Sequence, residues 1–148
     1  MFDDVDLENI KFKVIQQDSH EALTAALLRK RIYHKLFGSD FIESPLDQHH
    51  IQIIGLKDEA IVSTTVLVPE GQNYKMQGVV VKEELTNTGI GSKMMVFCET
   101  YAKKQGFKSI YCHARDAAVK FYLKNNYIPE GEYFTEDTMP HLMMRKLI

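Results

Sequence analysis

Val79-Val80-Val81 is followed, four residues on, by Thr86-Asn87-Thr88-Gly89-Ile90-Gly91-Ser92, a β-branched run that breaks into a glycine-bearing turn. Beyond the turn, Ile90, Met94, Phe97, Cys98, Tyr101 and Ala102 fall on one helical face, and Gly106 ends the pattern. A helix entered through glycines presents backbone N–H groups that have no partner within the helix, and such groups hold phosphate. The helix dipole adds about 0.3 to 1 kcal/mol in favour of an anion there.

The flanking sequence reads as short elements in the order β-α-β-β-β-α-β-α-β-β. Ile10 to Ile15 alternates as a strand, and Asp18 opens a helix with Glu21 completing a capping box. Ala22, Leu23, Ala26, Leu27, Ile32 and Leu36 form its apolar face, and Gly38 closes it as a left-handed cap. Arg29, Lys30, Arg31 and Lys35 form a solvated basic face. Ser39 to Gln48 is a loop in which Glu43 and Asp47 are solvated.

Ile51 to Leu56, Ile61 to Val68 and Tyr74 to Val81 make an antiparallel meander. Ser109 to His113 is a strand, Asp116 to Asn125 a helix, and Tyr127 to Tyr133 and His141 to Leu147 are the last strands.

At 148 residues and 45% hydrophobic content the chain suffices for one domain spanning 1–148, with residues 1–9 an acidic, mobile opening. A net charge of −2 gives no bulk attraction to nucleic acid or an anionic membrane, so an anionic ligand must be held locally. Cys98 and Cys112 lack a C-x-x-C spacing, which argues against a disulfide scaffold or a zinc site. His49-His50 on a strand would point to opposite faces, so no metal is invoked. Asp3, Asp4, Asp6 and Glu8 stand where a secretory signal needs basic residues, and no run is long enough to span a membrane, so a cytoplasmic protein is expected.

Two phosphate motifs are excluded. A Walker A loop needs glycine where Thr86 stands and a lysine directly after Gly91, where Ser92 stands; a dinucleotide fingerprint needs glycine at Met94. The spacing from Val81 through Gly89-Ile90-Gly91, on to His113-Ala114, Ala118, Phe121-Tyr122 and Asn126-Tyr127, resembles the GNAT superfamily of N-acetyltransferases. The tail Gly131-Glu132-Tyr133-Phe134-Thr135-Glu136-Asp137, Met139-Pro140-His141 and Met144 resembles one bacterial subgroup of small GNAT proteins. Thr86 departs from the family's Arg or Gln, Arg115 from an Asn that often contacts the cofactor, and Asn126 from a Gly.

The resemblance implies an α+β, three-layer fold: a mixed, largely antiparallel sheet of six to seven strands, splayed between the fourth and fifth and flanked by helices. It implies acetyl-CoA as co-substrate, with the pantetheine arm beside Val79, Val80 and Val81. The pyrophosphate would lie on Thr86, Asn87, Thr88, Gly89, Ile90, Gly91 and Ser92, and Arg115 and Tyr122 would also contact the cofactor. Tyr122 would protonate the leaving thiolate. The acceptor would be a small-molecule or peptide amine, and pairing of two copies through the C-terminal strands is common in the family. The base that frees the amine is open among His113, His141, Glu132 and Glu136. Two other functions compete: a GNAT-fold acyl-CoA sensor without turnover, and an interaction domain using the basic helix.

Overall fold

In the computed structural model, residues 9–148 are described. The expectation for the acidic opening lies almost wholly outside them. The chain runs β1 (Ile10–Ile15), α1 (His20–Phe37), β2 (Ile51–Lys57), β3 (Ala60–Glu70), β4 (Asn73–Val81), α2 (Ile90–Lys104), β5 (Ser109–Arg115), α3 (Val119–Lys124), β6 (Ile128–Glu136) and β7 (Met139–Leu147). Single 3-10 turns at Glu83–Leu85 and Asp116–Ala118 precede α2 and α3. The seven strands form one sheet in the order β1-β2-β3-β4-β5-β7-β6, and every pairing is antiparallel except β4 with β5. Element order and mixed sheet match the expected GNAT-type fold.

Several local expectations are corrected. Ser19, not Asp18, caps α1: its backbone is extended and its Oγ accepts from the Ala22 N–H at 3.1 Å. Glu21 pairs instead with Lys13 of β1 at 2.7 Å. The inward face of α1 is Ala22, Ala25, Leu28 and Arg29, while Leu23 and Leu27 are 60% and 58% exposed. Two alanines let the helix lie close on Ile15 and Ile54, which turns the larger leucines outward. Gly38 does end α1 at φ +99°, but its ψ of 165° is extended and is not that of a left-handed helical cap.

The last hairpin is longer than the sequence pattern suggests. Its ladder reaches Glu136 and Met139 because Asp137 and Thr138 both adopt positive φ, the geometry of a two-residue hairpin turn. Gly106 at φ +85° ends α2 as expected, with Phe107 N–H bonding the Ala102 carbonyl and Gly106 N–H that of Lys103.

Candidate active site

β4 and β5 pair only from Asn73↔Ser109 to Lys75↔Tyr111. Beyond that point β4 continues to Val81 and β5 to Arg115 without bonding each other, so the sheet opens between its fourth and fifth strands. A cleft of about 450 Å³ occupies the opening, walled by β4, β5, the end of α1, the loop after it, α3 and the β6–β7 turn.

Side chains alternate along a strand, which assigns each residue to one side of the opening. On β5, Ile110, Cys112 and Ala114 join the core built with Met94 and Cys98 of α2 and Tyr122 of α3. Tyr111, His113 and Arg115 therefore project to the opposite face. That is the α1 face, since Ile54 packs with Ala22 and Ala25 whereas Ile53 belongs to the α2 core.

On β4 the alternation is broken on purpose. Val66 faces Gln77 and Thr64 faces Val80, so a bulge falls at Gly78, whose φ is +64°. A Cβ on Gly78 would lie 2.9 Å from Tyr33 Oη and 3.1 Å from Arg29 Cδ, so only glycine admits α1 this closely. After the bulge Val79 and Val81 turn to the α2 face, Val79 against the main core and Val81 beside Ile90. Val80 points the other way and is buried, so of the three valines it offers a ligand main chain only.

On the α1 face, His113 Nδ1 lies 2.9 Å from Glu136 Oε1. A carboxylate only accepts, so Nδ1 carries the hydrogen, and in the neutral imidazole the lone pair is on Nε2. His141, opposite Arg115 in register and 3% exposed, donates from Nδ1 to the Met139 carbonyl at 3.0 Å and places Nε2 3.7 Å from Glu136 Oε2. Phe134 stands edge-on to His113 at 5.0 Å. Of the four candidate bases, His113, Glu136 and His141 thus meet at the cleft, whereas Glu132 is exposed and does not line it.

On the α2 face, Tyr122 is 6% exposed and T-stacked between Phe121 and Tyr127. Burial, and then contact with the Cys112 thiol to which it is hydrogen-bonded, hold its phenol well above the usual tyrosine range. It is a proton donor that stays protonated.

The glycine turn lies past Phe121. A Cβ on Gly91 would come within 3.0 Å of the Phe121 ring, so this glycine lets α3 pack on the first turn of α2. Asn87 and Gly89 take φ of +62° and +94° to lead into the helix. The Thr86 and Thr88 hydroxyls donate to the carbonyls of Glu83 and Leu85, and the Thr86 N–H also bonds the Glu83 carbonyl, so these three donors are committed within the turn.

Sequence reasoning missed the α1 side of the cleft. Arg29, expected on a solvated face, is 2% exposed and bonded through Nε to Glu43 at 2.8 Å, so Glu43 is not a free loop carboxylate either. Tyr33, Phe37 and Phe41 line the cleft, with Phe37 stacked on Phe41 at 5.0 Å and Tyr33 edge-on to Phe41 at 5.2 Å. A lone glycine inside a β-branched strand was the available signal for the bulge.

The description "Acetyltransferase (GNAT) domain" matches residues 14–148. A protein of Bacillus subtilis (strain 168) named as a candidate acetyltransferase is 25% identical over 93% of this chain and 95% of its own. A candidate N-acetyltransferase from Lactobacillus plantarum superposes with a TM-score of 0.83 at 20% identity, over 93% of this chain and 97% of that one. A GNAT family acetyltransferase from Elizabethkingia anophelis, solved with acetyl-CoA bound, superposes with a TM-score of 0.67 at 14% identity, over 95% and 99% of the two chains. The match covers nearly the whole chain, and the chain belongs to the GNAT acetyltransferase family.

Proposed function

We propose that the protein is an acetyl-CoA-dependent N-acetyltransferase in which a primary amine attacks the thioester directly. The arrangement that carries this reading is the His113–Glu136 pair on one face of the strand opening and Tyr122 on the other. Bound acetyl-CoA supplies an electrophilic thioester carbonyl to that opening.

The residues fit such a ligand. Main-chain groups of β4 beyond Lys75 that point toward β5 have no partner there, so an extended pantetheine can bond them as an added strand would. One such N–H aimed at the developing oxyanion is worth ~3 kcal/mol in the transition state. The N–H groups of Asn87 to Ser92 take the pyrophosphate, and Val79 and Val81 give the apolar wall between.

An alkyl amine of pKa ~10.4 is held protonated at neutral pH, a cost of about 4 to 5 kcal/mol. His113 Nε2 takes that proton first, the freed nitrogen lone pair then forms its bond to the carbonyl carbon, and Glu136 stabilises the resulting imidazolium. Tyr122 gives its proton to the sulfur as the carbon–sulfur bond breaks. His141 holds Glu136 from the far side.

Two measurements test the reading. Acetyl-CoA at ~100 times its Kd should add about 2.7 kcal/mol of stability, several degrees for a domain of this size. Release of free CoA should then depend on an added amine. Binding with no release from a broad amine panel indicates a sensor, and the absence of any thermal shift removes the cofactor.

A further inference from the structure

Arg29, Arg31 and Arg145 each sit in an ion pair, with Glu43, Glu83 and Glu130. Among the described residues Arg115 has none, although it lines the cleft and is partly buried. The nearby carboxylates are committed elsewhere: Glu43 to Arg29, Glu136 to His113, and Asp116 to the Tyr133 hydroxyl. Asp137, on the hairpin turn, makes no ion pair with it. A guanidinium is a rigid fork suited to a carboxylate, and leaving one unmatched in a cleft costs solvation that a ligand anion restores.

Arg115 lies on the acceptor side. It projects from β5 on the same face as His113, two residues and about 6.6 Å along the strand, and away from the core face that carries Tyr122 and leads to Gly91. Its charge is felt by Tyr33, on α1 across the cleft, where the Asp137 carboxylate acts in the opposite sense, and also by Tyr122. Beside Tyr33 stand Phe37 and Phe41, partly exposed to the same space. The loop that presents Phe41 is braced by His34 Nε2 donating to the Phe41 carbonyl at 3.2 Å and by the Arg29–Glu43 pair.

We propose, resting on the acetyltransferase reading, that Arg115 binds the carboxylate of the acceptor, which is an α-amino acid with an aromatic or large apolar side chain seated on Tyr33, Phe37 and Phe41. Its amine and carboxylate, carried on one carbon, are short enough to meet His113 and Arg115 together. This moves Arg115 from the cofactor to the acceptor. A peptide amine would bring no carboxylate to this position.

The test separates the acceptor from the chemistry. L-phenylalanine, L-phenylalaninamide and phenethylamine are titrated calorimetrically into the full chain saturated with CoA. L-phenylalanine is expected to bind at least about 10-fold more tightly than the other two, the effect of one charge-assisted carboxylate contact. Arg115→Gln should abolish that preference, Arg115→Lys should keep part of it, and neither should change the KM for acetyl-CoA more than about twofold. Equal binding of the three amines, no binding of any, or a raised acetyl-CoA KM in Arg115→Gln overturns the assignment. CoA release with some other amine would in those cases leave the acetyltransferase reading standing. Failure of CoA itself to bind would end both.

Discussion

His113 Nδ1 and Glu136 Oε1 lie 2.9 Å apart although 23 residues separate them in sequence, and the contact exists because β7 lies between β5 and β6 in the sheet. Both residues project from one face, and the ladder sets Phe134 level with Arg115 across His141, so Glu136 reaches back to His113 from beyond the end of β5. Glu136→Gln offers an N–H as well as an oxygen and no longer demands one imidazole tautomer. It should lower kcat by about 10- to 100-fold, and His113→Gln by about 100-fold or more. Steady-state rates at saturating acetyl-CoA read this, and unchanged kcat in both variants would take His113 out of the mechanism.

Tyr122→Phe removes one oxygen from a buried ring and should reduce kcat while leaving the Kd for CoA unchanged. Because the phenol is held well above its ordinary range, wild-type activity should show no falling limb from this group up to about pH 10. A pH–rate profile checks both statements.

Alkaline pH should unfold the domain early. Burial raises Tyr33 and Tyr74 to about 12 and lifts Tyr122 and Tyr127 further. Folded-state values above the unfolded ~10 mean that the native state holds more protons at high pH, so stability is complete below about pH 10 and falls as pH rises through the folded values. Melting curves between about pH 10 and 12 should show a steadily falling Tm, and a flat Tm would contradict the buried assignments.

Glu43→Ala leaves Arg29 charged, 2% exposed, with contacts to Gln52 and Thr64 only at 3.5 Å. Since Glu43 itself is about one-third exposed, the expected loss is about 2 to 3 kcal/mol, below the full penalty of an orphaned buried charge. Adding Arg29→Met should recover part of it. Denaturant titration of the single and double variants measures the difference, and simple additivity would show that the pair is not coupled.

Gly78→Ala combines positive φ with a Cβ 2.9 Å from Tyr33 Oη. A cost of about 1 to 3 kcal/mol is expected from the backbone alone. A Tm unchanged from wild type would mean that the bulge relaxes freely.

Periodicity and turn chemistry were enough for the element order, since each strand of the meander carries its own alternation and each turn its own Asp, Glu or Gly. The same patterns misassigned α1, because Leu23 and Leu27 keep helical spacing with Ala22 and Ala26 and hydropathy alone ranks leucine inward. Packing decides otherwise where alanines permit a closer approach. Arg29 was unreadable for a related reason: its burial depends on Glu43, which reaches it from a loop with no periodic signature. Tyr122 was singled out by the family resemblance and His113 as one of four open candidates, and both line the cleft, whereas Glu136 could be recognised as the partner of His113 only once strand order set β7 between them.

The bulge at Gly78 has a consequence for how this scaffold can vary. One extra residue makes β4 serve both faces of the sheet, with Lys75 and Gln77 turned to the α1 face and Val79 and Val81 to the α2 face. Under the proposed function, substitutions before the glycine fall on the acceptor side and substitutions after it on the coenzyme A side, so that one side can vary while the other is kept.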